Sequence, residues 1–327
     1  MTVPHHPKLA GFNVIQTAYK TVGEHAIRTD VLVPQNAPTG KRPVIIRFHG
    51  GGLVMGDSLF MNFWPYWLSD LALQHSAVII SPNYRLMPEA TSSQIYEDIE
   101  DFWQWLHSSA LTSLLAGQGM PIELDLSRIL TAGDSAGGLL SVILALSHPD
   151  ELRAATATYP AVDIGSSDYS KPRADPPFGK SIHSSVIDNL NASIGTSPTV
   201  KSSDSSISRL EYMLAVVEHG KLGQLYARDM ERSSYGKILY PMQWIEKGDI
   251  KLPRGGITIA QGRQDSVVPL AGVAEFVQRA NEATERGGGG EVTLTVREGD
   301  HGFDVEERLT ETWLQNMLKA PINSWLE

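Results

Sequence analysis

Cysteine is absent from this chain. Its absence removes disulfides, thiolate metal sites and a cysteine nucleophile together, and leaves serine, lysine or carboxylate chemistry. Nothing then requires an oxidising compartment. Basic residues are in deficit, with 27 Lys and Arg against 37 Asp and Glu, a formal net charge of −10. A field of that sign repels phosphate backbones and argues against nucleic acid as a partner. Long apolar runs are missing too. Residues 1–10 lack the uninterrupted apolar stretch of a secretory signal, and no later run approaches the length of a membrane span. Residues 324–327 form neither a prenylation box nor a peroxisomal tripeptide. The expectation is a soluble, cytoplasmic enzyme. No HExxH, EF-hand or G-x-G-x-x-G pattern occurs, so neither a metal nor an organic cofactor is expected.

The chain does have the means to build a large core. Its 327 residues are 42% hydrophobic and 20% charged, ordinary globular values within the range of one large α/β domain. Short runs rich in Val and Ile alternate with longer helix-like stretches, an order that predicts a mostly parallel sheet covered on both faces. Strands are expected at residues 13–19, 26–33, 44–48, 77–81, 128–132, 155–159, 256–260 and 292–297. The first two, joined by a turn containing Gly23, should form an antiparallel hairpin at the sheet edge. Helices are expected at residues 60–74, 93–115, 136–146, 270–286 and 305–325.

One segment breaks the alternation. About 80 residues, 161–240, separate the sixth and seventh strands, too many for a simple connection, and predict a small helical cap with a helix over residues 210–227. Within it, residues 197–208 (SPTVKSSDSSIS) are nearly devoid of large apolar side chains and read as a solvated, mobile surface loop. The glycine run at residues 287–290 lacks the following Lys and Ser/Thr of a phosphate-cradling loop and reads as a turn.

The strongest chemical signal is Gly133-Asp134-Ser135-Ala136-Gly137, directly after the fifth strand and leading into an apolar helix. G-x-S-x-G in a strand–turn–helix setting lifts a serine hydroxyl above the sheet edge, and the helix start aims N–H groups at a developing oxyanion. Alone, the pattern could be a glycine-rich turn with an N-capping serine. A second signal, His49-Gly50-Gly51-Gly52, follows the third strand, where glycines expose N–H groups without side-chain obstruction; the plainer reading is a flexible turn. Both motifs fall at carboxyl ends of strands, where open α/β sheets place ligands. A serine needs a base and an orienting carboxylate. His301, after the last strand, and Asp265, after the seventh, occupy loops that could supply them, although either alone reads as an ordinary polar loop residue. The chain order Ser135, Asp265, His301 is that of an α/β-hydrolase triad.

With HGGG, GDSAGG and the segment Tyr84-Arg85-Leu86-Met87-Pro88-Glu89 in hand, the chain resembles the hormone-sensitive-lipase-like branch of carboxylesterases within the α/β-hydrolase superfamily. The resemblance runs from about residue 31 to the end, with Met87 where the branch carries alanine. It implies the α/β-hydrolase fold, a mostly parallel eight-stranded sheet with a helical cap. It implies oxyanion-hole donors at Gly51, Gly52 and Ala136, a loop-stabilising His49, and structural roles for Glu89 and Asp98. It divides the chain into a body at residues 31–160 and 241–327, a cap at 161–240, and an N-terminal segment, 1–30, that shares in the cap. It also raises a homodimer paired through a sheet edge.

The expected activity is hydrolysis of a small-molecule carboxylic ester through an acyl-enzyme. Lactone opening, amide cleavage or acyl transfer by the same triad are alternatives, as is a non-catalytic receptor on a hydrolase fold. Met55, Phe60 and Trp64 are candidates to line an acyl pocket, although aromatics at that spacing on a helix more often belong to a core. His183 and His219 have no second histidine at metal-ligand spacing. His5 and His6 read as a disordered terminus.

Overall fold

The apolar runs become strands because β-branched side chains pack well on a pleated surface buried on both faces. In the computed structural model, residues 5–194, 199–248, 250–287 and 290–327 are described. In chain order the elements are β1 (Phe12–Val22), β2 (His25–Pro34), β3 (Gly40–Phe48), α1 (Tyr66–Gln74), β4 (Val78–Pro82), α2 (Ser92–Leu106), α3 (Ser109–Gly117) and β5 (Ile122–Gly133). They continue with α4 (Ala136–Ser147), β6 (Ala154–Thr158), α5 (Ser185–Ile194), α6 (Leu210–Glu218), α7 (Leu222–Ala227), α8 (Pro241–Glu246), β7 (Ile257–Gly262), α9 (Leu270–Gly287), β8 (Val292–Arg297) and α10 (Thr312–Leu326). Short 3-10 turns lie between several of them.

The eight strands form one sheet in the order β1-β2-β4-β3-β5-β6-β7-β8. β1 with β2 and β2 with β4 pair antiparallel; every other pair is parallel. Alternation along a strand divides the core. Val44, Ile46 and Phe48 of β3 join the side packed by α2, α4 and α9, whereas Ile45 joins Leu68 and Leu71 of α1 and Leu314, Leu318 and Trp325 of α10 on the other. α4 is buried all round, and its one central hydroxyl, Ser141 Oγ, is satisfied by Thr131 Oγ1 at 2.8 Å and the Thr156 carbonyl at 3.0 Å. Among the described residues no helix is long and apolar enough to cross a membrane.

Several expected boundaries shift for local reasons. The helix expected from residue 60 begins at Tyr66, after Pro65, which fixes its own φ and biases Trp64 away from helix. Before it, Asp57 Oδ1 accepts the Leu59 N–H at 2.9 Å in a local turn. The stretch expected as one helix over 93–115 divides where Ser108 Oγ accepts the Ala110 N–H and caps a second helix. The final helix starts at Thr312, since residues 301–306 and 309–310 form turns.

The serine-rich part of the insertion differs most from expectation. Residues 197 and 198 lie outside the described residues, as do 288 and 289 of the glycine run. Over 201–209, however, the chain is anchored to the body by hydrogen bonds, with 205, 206 and 208 exposed. The Leu86 N–H donates to the Lys201 carbonyl at 2.7 Å, the Asp204 N–H to the Gly56 carbonyl at 2.7 Å, and Ser203 Oγ to Asp57 Oδ2 at 2.6 Å. Arg209 pairs with Glu89 and donates to the Met87 carbonyl at 3.2 Å. Residues 7–9 pack beside α1, where the buried Lys8 donates to the Met61 carbonyl at 3.1 Å and to Glu306 Oε1 at 3.0 Å. Nor is His6 loose, since its Nδ1 accepts the Lys8 N–H at 3.2 Å. The N-terminal hairpin completes the sheet and reaches the insertion through His25 Nε2 and Ser202 Oγ, 2.7 Å apart.

Candidate active site

Ser135 sits at the turn from β5 into α4 with φ 56° and ψ −118°, backbone angles a non-glycine residue rarely adopts. The turn is tight because its glycines allow close approach: a Cβ on Gly137 would run into the Phe48 carbonyl. The Ser135 N–H is held by the Thr158 carbonyl at 2.9 Å. Its side chain makes no helix-capping bond, so the N-capping role open to a serine before a helix is not the one it takes.

The turn is locked to the glycine loop after β3. Asp134 Oδ2 accepts the Gly50 N–H at 2.9 Å and Oδ1 accepts from Arg47 Nη2 at 2.7 Å, while Arg47 also donates to the carbonyls of Ser58 and Phe63. Burial pushes the Asp134 carboxyl above its ordinary pKa, against the pull of Arg47 and the Gly50 N–H. Inside the loop, Gly51 takes φ +110°, and a Cβ there would meet the Met55 carbonyl.

His49 supports the loop from beneath. Its Nδ1 lies 2.8 Å from the Gly50 carbonyl, and its ring stacks on Tyr84 at 4.4 Å, whose hydroxyl donates to the His49 carbonyl at 2.6 Å. Burial pushes its pKa down to about 4. The unfolded chain takes up a proton near pH 6.5 that the folded chain refuses until about pH 4, so stability is complete above 6.5 and falls through that window as pH drops. This single group is expected to remove about 3 kcal/mol across it. Urea midpoints between pH 7 and pH 4.5 should decline less steeply in His49→Gln than in the parent; equal declines would refute the assignment.

On the far half of the sheet, the loops after β7 and β8 bring Asp265 and His301 together. His301 Nδ1 lies 2.9 Å from Asp265 Oδ2 and 3.1 Å from Oδ1. The Asp265 side chain is fully buried. Oδ1 accepts the N–H groups of Val267 at 2.9 Å and Val268 at 2.7 Å, and Oδ2 accepts from Gln261 Nε2 at 3.0 Å.

Gly51, Gly52, Ser135, Ala136 and His301 line one cavity of about 240 Å³. Its apolar walls include Leu53 and Phe63 from the body and Tyr169, Phe178, Met213 and Val217 from the insertion. Met55, Phe60 and Trp64 do not line it. Met55 is buried under the loop, Phe60 packs edge-on against Phe63, and Trp64 lies over the Arg47 guanidinium with Nε1 bonded to Ser69 Oγ at 2.8 Å. In place of the first turns of the helix expected over 60–74, residues 61–64 form turns, and this difference puts Phe63 rather than Trp64 on the cavity wall.

Sequence reasoning missed Arg47, Tyr159, Phe178, Met213 and Asp304 at or behind the site. Asp134 was visible as the variable residue of G-x-S-x-G, but its bond to the glycine loop depends on β3 pairing with β5. His183 bonds its neighbour Ser185, and His219 the Ile182 carbonyl. Among the described residues no group of three or more His, Cys, Asp or Glu is arranged to hold a metal ion.

A mostly parallel eight-stranded sheet with a serine at the turn after β5, and a His and Asp on the loops after β8 and β7, is the α/β-hydrolase fold. The family described as having the alpha/beta hydrolase fold matches residues 45–197. The chain is 30% identical over 326 residues to the probable carboxylesterase M8 of Phoma sp., covering 97% of each chain. A 74-residue stretch is 50% identical to the probable carboxylesterase clz11 of Cochliobolus lunatus, covering 23% of this chain and 34% of that one. Among solved structures, a fungal esterase of Rhizomucor miehei aligns with TM-score 0.61 at 19% identity, over 99% of this chain and 87% of that one, a likeness in fold. The chain belongs to the carboxylesterase family of α/β-hydrolases.

Proposed function

We infer that the protein hydrolyses a carboxylic ester of a small, neutral molecule through an acyl-enzyme, with Ser135 as nucleophile, His301 as general base and acid, and Asp265 as orienting carboxylate. The observation that carries this reading is the convergence of Ser135, His301, Gly51, Gly52 and Ala136 on one cavity, with Asp265 on the far nitrogen of His301. His301 takes the Ser135 proton as the oxygen attacks the carbonyl, and the N–H groups of Gly51, Gly52 and Ala136 receive the negative charge that develops. The proton then passes to the leaving alcohol. Water, deprotonated by the same imidazole, attacks the acyl group, releases the acid and restores Ser135.

The cavity supports a small acyl group. Its volume, about 240 Å³, is below the range of about 300–1,000 Å³ common for ligand pockets. A panel of p-nitrophenyl acetate, butyrate, hexanoate and dodecanoate checks this. The expected result is highest kcat/KM on the three shorter esters and at least about a tenfold fall by dodecanoate, since a chain that outgrows an apolar pocket loses its burial. Failure to turn over any ester, together with failure of a fluorophosphonate probe to label Ser135, would overturn the reading.

A further inference from the structure

Behind the imidazole of His301 lies a buried cluster that the reaction as described does not use. The Tyr159 ring packs against the His301 ring with centroids 4.3 Å apart and planes tilted by 53°. Tyr159 follows β6, lines the cavity, and holds a left-handed backbone at φ 41°, fixed by its N–H on the Ala260 carbonyl at 2.7 Å. Such a conformation on a bulky residue persists only where the surroundings enforce it, and it is concentrated at functional sites.

The Tyr159 hydroxyl donates to Asp304 Oδ1 at 2.8 Å, and Trp67 Nε1 donates to Oδ2 at 2.8 Å. Asp304 is fully buried, and both of these partners are neutral. A carboxylate buried without a cation is costly, and burial raises its affinity for a proton. Asp304 is therefore a strong acceptor that draws on the phenol proton and pushes electron density into the Tyr159 ring. The cation that develops next to that ring is the His301 imidazolium, formed as Ser135 gives up its proton.

We propose that Tyr159, polarised by Asp304, is a positioning residue that holds the His301 ring and stabilises its imidazolium through the electron-rich phenol packed against it. The interaction is stronger when His301 is charged than when it is neutral, so it favours the transition state over the resting enzyme. Among the described residues, the other charged groups near His301 are Asp265 at Nδ1, Asp300, whose Oδ1 accepts the backbone N–H of His301 at 2.7 Å, and Asp134, whose charge reaches it from the β5–α4 turn. The Phe178 ring approaches edge-on at 6.4 Å and is uncharged. The proposal rests on the reading of Ser135, Asp265 and His301 as a triad.

The test is Tyr159→Phe in the full-length protein, which keeps the ring and removes its bond to Asp304. The expected result is kcat about tenfold lower with KM within about twofold. The acid limb of the kcat/KM profile should move to lower pH, because His301 loses stabilisation of its protonated form. Should this variant fail to fold by circular dichroism, Tyr159→Phe with Asp304→Asn keeps a carbonyl for Trp67 Nε1 and is read in the same way. Parental kcat and an unmoved acid limb, with Ser135→Ala inactive, would overturn this proposal alone. Activity retained in Ser135→Ala would overturn the triad and this proposal with it.

Discussion

Ser135→Ala is expected to lower turnover of p-nitrophenyl butyrate by about 10⁴- to 10⁶-fold while leaving the melting temperature nearly unchanged. On the proposed mechanism, the activity loss follows from removing the atom that bonds to the acyl carbon. The fold survives because the hydroxyl caps no helix N–H, and alanine at φ 56° is no more strained than serine. On the proposed reading, residual activity would come from the N–H groups of Gly51, Gly52 and Ala136, which would still polarise a bound carbonyl toward water. The measurement is steady-state turnover on highly purified variant, with thermal unfolding followed by circular dichroism. Turnover above about 1% of the parent would assign the chemistry to another residue, since losing a covalent nucleophile costs far more than that.

Asp265→Asn is expected to cost about 10³- to 10⁴-fold in kcat, and the hydrogen-bond geometry supplies the reason. Oδ1 of Asp265 accepts two backbone N–H groups, from Val267 and Val268, so an asparagine must turn its carbonyl oxygen there. Its amide nitrogen then occupies the place of Oδ2 and faces Gln261 Nε2 and His301 Nδ1. A donor at that position forces Nδ1 to accept. The ring proton moves to Nε2, and the imidazole can no longer take the Ser135 proton. KM should change little, because no substrate contact is altered. A kcat within tenfold of the parent would show that Asp265 does not set the tautomer of His301.

The alternation of Val- and Ile-rich runs with helical stretches was legible because strands buried on both faces are short continuous apolar runs, whereas most helices bury a stripe at a period of about four. The eight strands followed from that pattern. The β5–α4 turn was legible for a different reason: a sharp strand-to-helix bend around Ser135 requires small residues at fixed offsets, and Gly133, Ala136 and Gly137 stand at them. The substrate walls were not legible. Phe63 and Trp64 are adjacent aromatics, and only the turns that precede Pro65 decide that Phe63 meets the cavity while Trp64 packs over Arg47. Residues 201–209 misled because polar side chains can be bound as tightly as apolar ones when each hydrogen bond has a partner, and partners distant in sequence leave no periodicity.

By itself, the sequence determined the class of chemistry. Without cysteine the nucleophile had to come from other residues, and the GDSAG and HGGG motifs at strand ends pointed to a serine and to the N–H donors proposed beside it. Both are local properties, set by the backbone demands of a few consecutive residues. The tertiary structure decided what surrounds that chemistry: the Arg47–Asp134 lock between two loops, the Tyr159–Asp304 pair behind His301, and the cavity walls that Phe178, Met213 and Val217 of the insertion supply. Each joins residues far apart in the chain, and such contacts exist only after the sheet order has brought their strands together.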